Sequence, residues 1–159
     1  MQAAVLTVST TVSRRDADDE SGPLLAQRAE EEGAEIVAME VVPDDLALIE
    51  DRIRHYVDGA VELVLTTGGT GFSPDDVTPE ATRMVIEREA PGLSEAMRAA
   101  SLEHTPMGIL SRGVSGIAGG TLIVNFPGSP RAVDEAFAVI APVLRHAVDT
   151  LHRGGRRSH

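Results

Sequence analysis

Leu63-Val64-Leu65-Thr66-Thr67-Gly68-Gly69-Thr70-Gly71 joins an unbroken apolar and β-branched run to four residues of which three are glycine. A short continuous run of this kind is the pattern of a strand buried on both faces of a parallel sheet, where hydrophobic alternation is lost. Strand, glycines and then a helix start are the ingredients of a ligand turn. Residues without Cβ let several backbone N–H groups point into one concavity and accept an anion, and Thr67 and Thr70 add hydroxyl donors. The same glycines equally suit any strand-to-loop turn. The turn is neither a Walker loop nor a dinucleotide fingerprint, since both the Gly-Lys-Ser/Thr ending and the G-x-G-x-x-G spacing are missing.

On the N-terminal side of this stretch, Ala3 to Ser9 is a similar apolar run that predicts the first strand. Thr10 to Glu20 is polar and holds Asp16, Asp18, Asp19 and Glu20, which predicts a long exposed loop with solvated acids. Ser21-Gly22-Pro23 offers cap residues with Pro at the first helical position, and Gly33 ends that helix. Ile36 to Val42 predicts a second strand closed by Pro43, after which Asp44 or Asp45 can cap the next helix. Leu46, Ile49, Ile53 and Val57 recur at helical spacing, so Asp45 to Asp58 reads as an amphipathic helix ended by Gly59.

On the C-terminal side, Thr78-Pro79-Glu80 supplies a cap, a Pro and an acid for a helix that Pro91-Gly92 breaks and Leu93 to Leu102 resumes. Gly113 to Ala118, the Gly119-Gly120 turn and Thr121 to Phe126 predict a hairpin whose second arm is a core strand. Pro127-Gly128-Ser129-Pro130 is a tight turn with Ser129 as cap. Val133, Phe137, Ile140, Leu144, Val148 and Leu151 form one face of a long last helix, with a kink expected at Pro142. Residues 1–152 thus read as one domain, and 153–159 as a flexible basic tail holding Arg153, Arg156 and Arg157. Alternating strands and helices predict a three-layer α/β/α sandwich with a mostly parallel sheet. Ligands of such sheets sit at the carboxyl ends of the strands, where the order reverses. The turns after Ser9, Thr67 and Phe126, with the acid after Val42, should collect there.

Composition narrows the chemistry. The 159 residues are 42% hydrophobic and contain no cysteine, which removes disulfides, zinc-thiolate sites and thiol nucleophiles. All 14 basic residues are arginine, so no phosphate-loop or Schiff-base lysine exists. No apolar run or leader pattern argues for a membrane or secretion, and the expected location is the cytoplasm. A net charge of −11 argues against a nucleic-acid surface. An acidic protein that takes a phosphate needs local N–H donors, a few arginines or a divalent cation. A metal is expected.

Asp44, Asp75 and Asp76 follow strands, and acids from two strand ends can share a Mg²⁺ with a polyphosphate, each as one hard oxygen ligand. The alternative for Asp44 and Asp76 is helix capping. Ser111-Arg112 precedes a strand, and Arg112 could either fork onto phosphate or pair with one of the many acids. No G-x-S-x-G elbow frames a serine, and the five histidines lack metal-ligand spacing.

The run Thr66 to Gly71, continuing to Asp76-Val77-Thr78-Pro79-Glu80-Ala81-Thr82, resembles the signature of the MogA/MoaB family of molybdenum cofactor biosynthesis proteins, to which the gephyrin G domain belongs. The likeness extends to Pro91-Gly92-Leu93-Ser94, Leu110-Ser111-Arg112, Gly116-Ile117 and Asn125-Phe126-Pro127-Gly128-Ser129-Pro130. It implies a nucleotidyltransferase that uses Mg²⁺ and ATP to join AMP to the terminal phosphate of molybdopterin, releasing pyrophosphate. It also implies a trimer or hexamer, with the molybdate-inserting enzyme of the pathway as a partner. By the same resemblance Asp44 and Asp76 are the essential, metal-holding acids, and Ser111 lies on the pterin side. Thr67 to Gly71 would hold phosphate, and Ser9, Thr10, Arg112 and Pro127 to Ser129 would line the ligand pockets. Two positions depart from the pattern: Ser9-Thr10 stands where many relatives carry Ser-Asp, and Asp75-Asp76 where they carry Arg-Asp. An acid at 75 could recruit another cation or weaken ATP binding, and the alternative function is a non-catalytic molybdopterin-binding or scaffold paralogue.

Overall fold

The computed structural model describes residues 1–153; of the tail expected over 153–159, all but Arg153 lies outside the described residues. Among the described residues, six strands, numbered in chain order, form one sheet in the order β2-β1-β3-β6-β5-β4. The four that carry the fold are parallel: β1 (Gln2–Val8), β2 (Glu35–Val42), β3 (Leu63–Thr67) and β6 (Thr121–Phe126). The short β5 (Ser115–Ala118) and β4 (Arg88–Glu89) close one edge antiparallel. Alternate residues of the central strands feed two cores. Ala3, Val5, Leu63, Leu65 and Val124 pack with α2 (Ser21–Glu31), α5 (Pro91–Leu102) and α6 (Pro130–Leu151). Ala4, Leu6, Val64 and Ile123 pack with α3 (Leu46–Asp58) and α4 (Thr78–Val85). This is the expected three-layer α/β/α sandwich, and both faces of β3 are buried as its apolar run requires.

Register places the site. Val8 is level with Val42, Thr7 with Thr67, and Thr67 with Phe126, so four parallel strands end together. The chain passes from β1 to β2 on one side and then across to β3 on the other, leaving a switch point outside the ends of β1 and β3. Among the described residues, no helix is long and apolar enough to cross a membrane.

Several local expectations are corrected. The segment after Ser9 is not loop throughout: Thr10–Ser13 makes a one-turn helix, α1, capped by the Ser9 hydroxyl, which accepts from the Val12 amide at 3.3 Å. Asp19 is not a free solvated acid. Its Oδ2 accepts from Thr7 Oγ1 at 2.8 Å and its Oδ1 from the Gly22 amide at 2.9 Å, so Asp19, rather than Ser21, opens α2. Thr78 does not cap α4 but donates its hydroxyl to the Gly68 carbonyl at 2.9 Å. The helix begun there stops at Val85, because Ile86 turns extended and its side chain fills the space that a Cβ at Gly116 would need. Arg88–Glu89 then pairs with Gly116 and Ile117, and α5 begins at Pro91. A 3-10 turn spans Pro106–Leu110, and α6 continues through Pro142 to Leu151.

Candidate functional site

The glycine turn is held in a conformation that only glycine adopts easily. Gly68 has φ +97°, and a Cβ there would stand 2.3 Å from the Val8 carbonyl oxygen. Gly69 has φ +70°, and its absent Cβ leaves room for Thr78 Oγ1. The Gly68 amide donates to the Phe126 carbonyl at 3.1 Å, tying the turn to β6, while Thr67 Oγ1 donates to the Pro127 carbonyl at 2.7 Å. Among the described residues, the amides of Gly69, Thr70 and Gly71 donate to no protein acceptor. Unpaired amides at a strand end on a glycine turn are the donors an anion takes.

The turn faces a cleft of about 340 Å³. Ser9, Asp44, Thr67, Gly68, Gly69, Asp76 and Gly128 all line it, bringing together residues from the ends of β1, β2, β3 and β6. The cap after Val42 is Asp45, whose side chain accepts from the Leu48 amide at 2.9 Å. Asp44 is thereby left facing the cleft. Its Oδ2 accepts from the Thr10 amide at 3.1 Å and the Thr10 hydroxyl at 2.8 Å. Asp76 Oδ2 accepts from the Ser73 amide at 3.1 Å. Asp75 is exposed and stands outside the lining of this cleft. Asp18, Asp19, Glu20 and Ser21 also line it. Sequence reading missed these residues; the signal was the acidic run placed directly before a helix start, a few residues beyond a strand end.

The turn after β6 touches two regions, Gly128 lining this cleft and Pro127 the next. A cavity of about 40 Å³ includes Ser111, Asn125 and Pro127 in its wall, and it adjoins a cleft of about 400 Å³ lined by Ser111 and Arg112 among others. Ser94, Arg98 and Gly113 line both; Ser94 closes one of the motifs that carry the family resemblance, whereas Arg98, a single Arg within a helix, carries no distinguishing pattern in sequence. Arg98 Nη1 donates to the Gly113 carbonyl at 2.7 Å. Arg112, the candidate phosphate fork, is turned to other partners: its guanidinium meets Glu80, with Oε2 at 2.7 Å, and two loop carbonyls. Ser129 caps α6, accepting from the Ala132 amide at 3.2 Å. Thr70 is buried with its carbonyl on the Arg112 amide, and the Gly71 carbonyl also faces Arg112.

Among the described residues, no three His, Cys, Asp or Glu side chains converge as a metal cage. Mg²⁺ needs no such cage, since it is held by one or two carboxylates together with substrate phosphates and waters. Asp44, after β2, and Asp76, before α4, line one cleft with the glycine turn and suit a Mg²⁺ that arrives with a polyphosphate. The arrangement offers binding and, with a cation, charge neutralisation.

The profile of the family described as "Probable molybdopterin binding domain" matches residues 4–146. The chain is 47% identical over 146 residues to the molybdenum cofactor synthesis protein cinnamon of Drosophila melanogaster, covering 91% of this chain and 24% of that one. It is 41% identical over 113 residues to a molybdopterin adenylyltransferase of Helicobacter pylori, covering 70% of this chain and 64% of the other. The chain therefore spans less than two thirds of both relatives. The solved structure of the molybdopterin biosynthesis Mog protein from Mycobacterium ulcerans superposes with a TM-score of 0.89 at 40% identity, covering 94% of this chain and 98% of that one.

Proposed function

The chain belongs to the probable molybdopterin binding domain family of molybdenum cofactor biosynthesis, and from that membership we propose that it is a molybdopterin adenylyltransferase. The observation that carries the reading is the pair of clefts: the glycine turn with Asp44 and Asp76 in the first, and the Ser111 cleft of about 400 Å³ in the second. The first half suits a triphosphate and the second a compact heterocycle. Adenylyl transfer needs both held in line. An oxygen of the pterin phosphate attacks the α-phosphorus of ATP, a new phosphoanhydride bond forms, and the bond to the β-phosphate oxygen breaks as pyrophosphate leaves. The nucleophile belongs to the substrate, so positioning and electrostatics suffice, which fits a chain with no Cys and no Lys.

In this reading the amides of Gly69 to Gly71 hold phosphate oxygens, and Asp44 and Asp76 hold Mg²⁺, which supplies neutralisation of the charge building on the leaving pyrophosphate. Ser111 orients the pterin, and the Pro127-Gly128 step joins the two halves. The active species is a trimer or hexamer, and its product passes to a molybdate-inserting enzyme. A second reading, a molybdopterin-binding protein without turnover, is favoured by one contact: Thr10 takes Asp44 Oδ2 in two hydrogen bonds where many relatives carry an acid.

The test is incubation of the purified protein with molybdopterin, Mg-ATP and pyrophosphatase. Adenylylated pterin is the expected product, and ligand binding without product would leave only the second reading. Asp76→Asn is expected to abolish turnover while ligand still binds; wild-type turnover in that variant would remove Asp76 from the metal-holding role.

A further inference from the structure

We propose that Arg112 and Glu80 form a clamp that fixes the glycine loop and aims Asp76, so that Arg112 is a positioning residue of the site and not a phosphate ligand. Three carbonyls from the two ends of one loop converge on Arg112. Its amide donates to Thr70 O at 2.8 Å, its Nε to Gly71 O at 2.7 Å and its Nη2 to Asp76 O at 2.7 Å. Nη1 meets both oxygens of Glu80, at 3.0 and 2.7 Å. The planar guanidinium can serve two carbonyls and a carboxylate at fixed angles; an ammonium on a flexible stem cannot.

The consequence falls on Asp76. Its carbonyl is held by Arg112 and its Oδ2 accepts from the Ser73 amide, so backbone and side chain are both anchored and Oδ1 is left for a cation. The Arg112 and Glu80 pair brings no net charge, whereas a phosphate ligand would need the fork that Glu80 occupies. Glu80 is three residues inside α4, so the clamp also joins the loop to a helix packed on the sheet.

The proposal rests on the adenylyl-transfer reading only where turnover is measured. The full chain is compared with Arg112→Lys, Arg112→Gln, Glu80→Gln and the double variant Glu80→Gln/Arg112→Gln. A clamp predicts that Glu80→Gln shares the defect of Arg112→Gln. In both, kcat falls about tenfold or more and the Mg²⁺ concentration for half-maximal turnover rises, while the KM for ATP moves by less than about threefold, the size expected from losing one or two charge-assisted hydrogen bonds. The double variant is no worse than either single one. Arg112→Lys does not rescue. Amide hydrogen exchange at the bonded amides within residues 68–76, those of Gly68, Ser73, Asp75 and Asp76, speeds up in all four variants, while exchange in β1 and β3 stays as in the wild type. The clamp is overturned if Glu80→Gln behaves as wild type or binds ATP more tightly while Arg112→Gln weakens ATP binding, or if Arg112→Lys retains full turnover. Should the wild type itself show no turnover, the adenylyl-transfer reading fails alone. Exchange over 68–76 still decides the clamp, and unchanged exchange in Arg112→Gln overturns it.

Discussion

At Gly68 two constraints meet: a left-handed backbone and a Val8 carbonyl oxygen 2.3 Å from where a Cβ would be. Gly68→Ala must either strain or displace the turn, and positions of this kind cost about 1–3 kcal/mol each. Urea unfolding should show that loss, and phosphate-ligand affinity should fall with it. Tyr56 offers a second single-residue test because it is the only tyrosine. Burial and then its hydrogen bond to Glu40 push its hydroxyl well above the ordinary tyrosine value. Glu40 moves the other way: burial opposes ionisation, but hydrogen bonds from Tyr56 and Arg52 hold its carboxyl below the usual range. A raised folded value gives Tyr56 a stabilising share that is complete below about pH 10 and lost as pH climbs through the folded value. Glu40 contributes above about pH 4.5, and that share is lost as pH falls through its depressed value. Ultraviolet titration should therefore show no phenolate near pH 10 in the folded protein, and phenolate should appear together with unfolding. A normal titration curve in folded protein would contradict the Tyr56 and Glu40 contact.

Between elements, the buried Asn125 joins three of them. Its Nδ2 donates to Thr66 Oγ1 on β3 at 2.9 Å and to Thr82 Oγ1 on α4 at 3.0 Å, while Oδ1 accepts from the Val114 amide at 3.1 Å. Thr82 Oγ1 donates onward to the Thr78 carbonyl, and Thr78 Oγ1 to Gly68, so the network ends beneath the glycine turn. Asn125→Leu strands a buried amide and a buried hydroxyl at about 1–3 kcal/mol each. For a chain of this size that lowers the melting temperature by several degrees; scanning calorimetry reads it, and an unchanged melt would show the network to be dispensable. In α6, Pro142 cannot donate to the Ala138 carbonyl, so Pro142→Ala should raise the melting temperature. The sequence carried the elements built on apolar continuity: β1, β3 and β6, and the face of α6 that includes Phe137 and Ile140. It carried Asp44 and Asp76 only as two roles apiece, because capping and ligation use the same carboxylate. The structure separates them by giving the cap to Asp45 and turning Asp44 to the cleft. Arg88–Glu89 was illegible, being two exposed charged residues whose strand depends on Ile86 seating over Gly116 far along the chain. Arg112 was legible only as a choice between forking onto phosphate and pairing with an acid; Glu80 is that acid, while its carbonyl partners on Gly71 and Asp76 are ones sequence cannot place.

For the whole molecule, exposed apolar and acidic surface each carry a consequence. Val37, Met39 and Val41 on edge strand β2 are 43%, 49% and 39% exposed, an apolar row that suits contact with further copies. Analytical ultracentrifugation should give three or six times the chain mass, and a monomer at every concentration would remove the oligomer from the proposal. The charge distribution bears on how ligand arrives. Net charge is −11, and the first cleft is lined by Asp18, Asp19, Glu20, Asp44 and Asp76 with, among the described residues, no arginine in its lining. Arg112 and Arg83, near the second cleft, are paired with Glu80 and Glu89. A polyanion therefore approaches against a repulsive field and is captured only at contact distance by the glycine-turn amides. Salt shortens the range of that repulsion, from about 10 Å at 0.1 M to about 3 Å at 1 M, while leaving short hydrogen bonds largely intact. The association rate of metal-free ATP should thus rise with potassium chloride, opposite to the behaviour of a basic anion site, and Mg²⁺ should raise it at low salt without added chloride. Stopped-flow with a fluorescent ATP analogue measures both slopes. A rate that falls as salt is added would mean that basic groups, not amides and a cation, draw the nucleotide in.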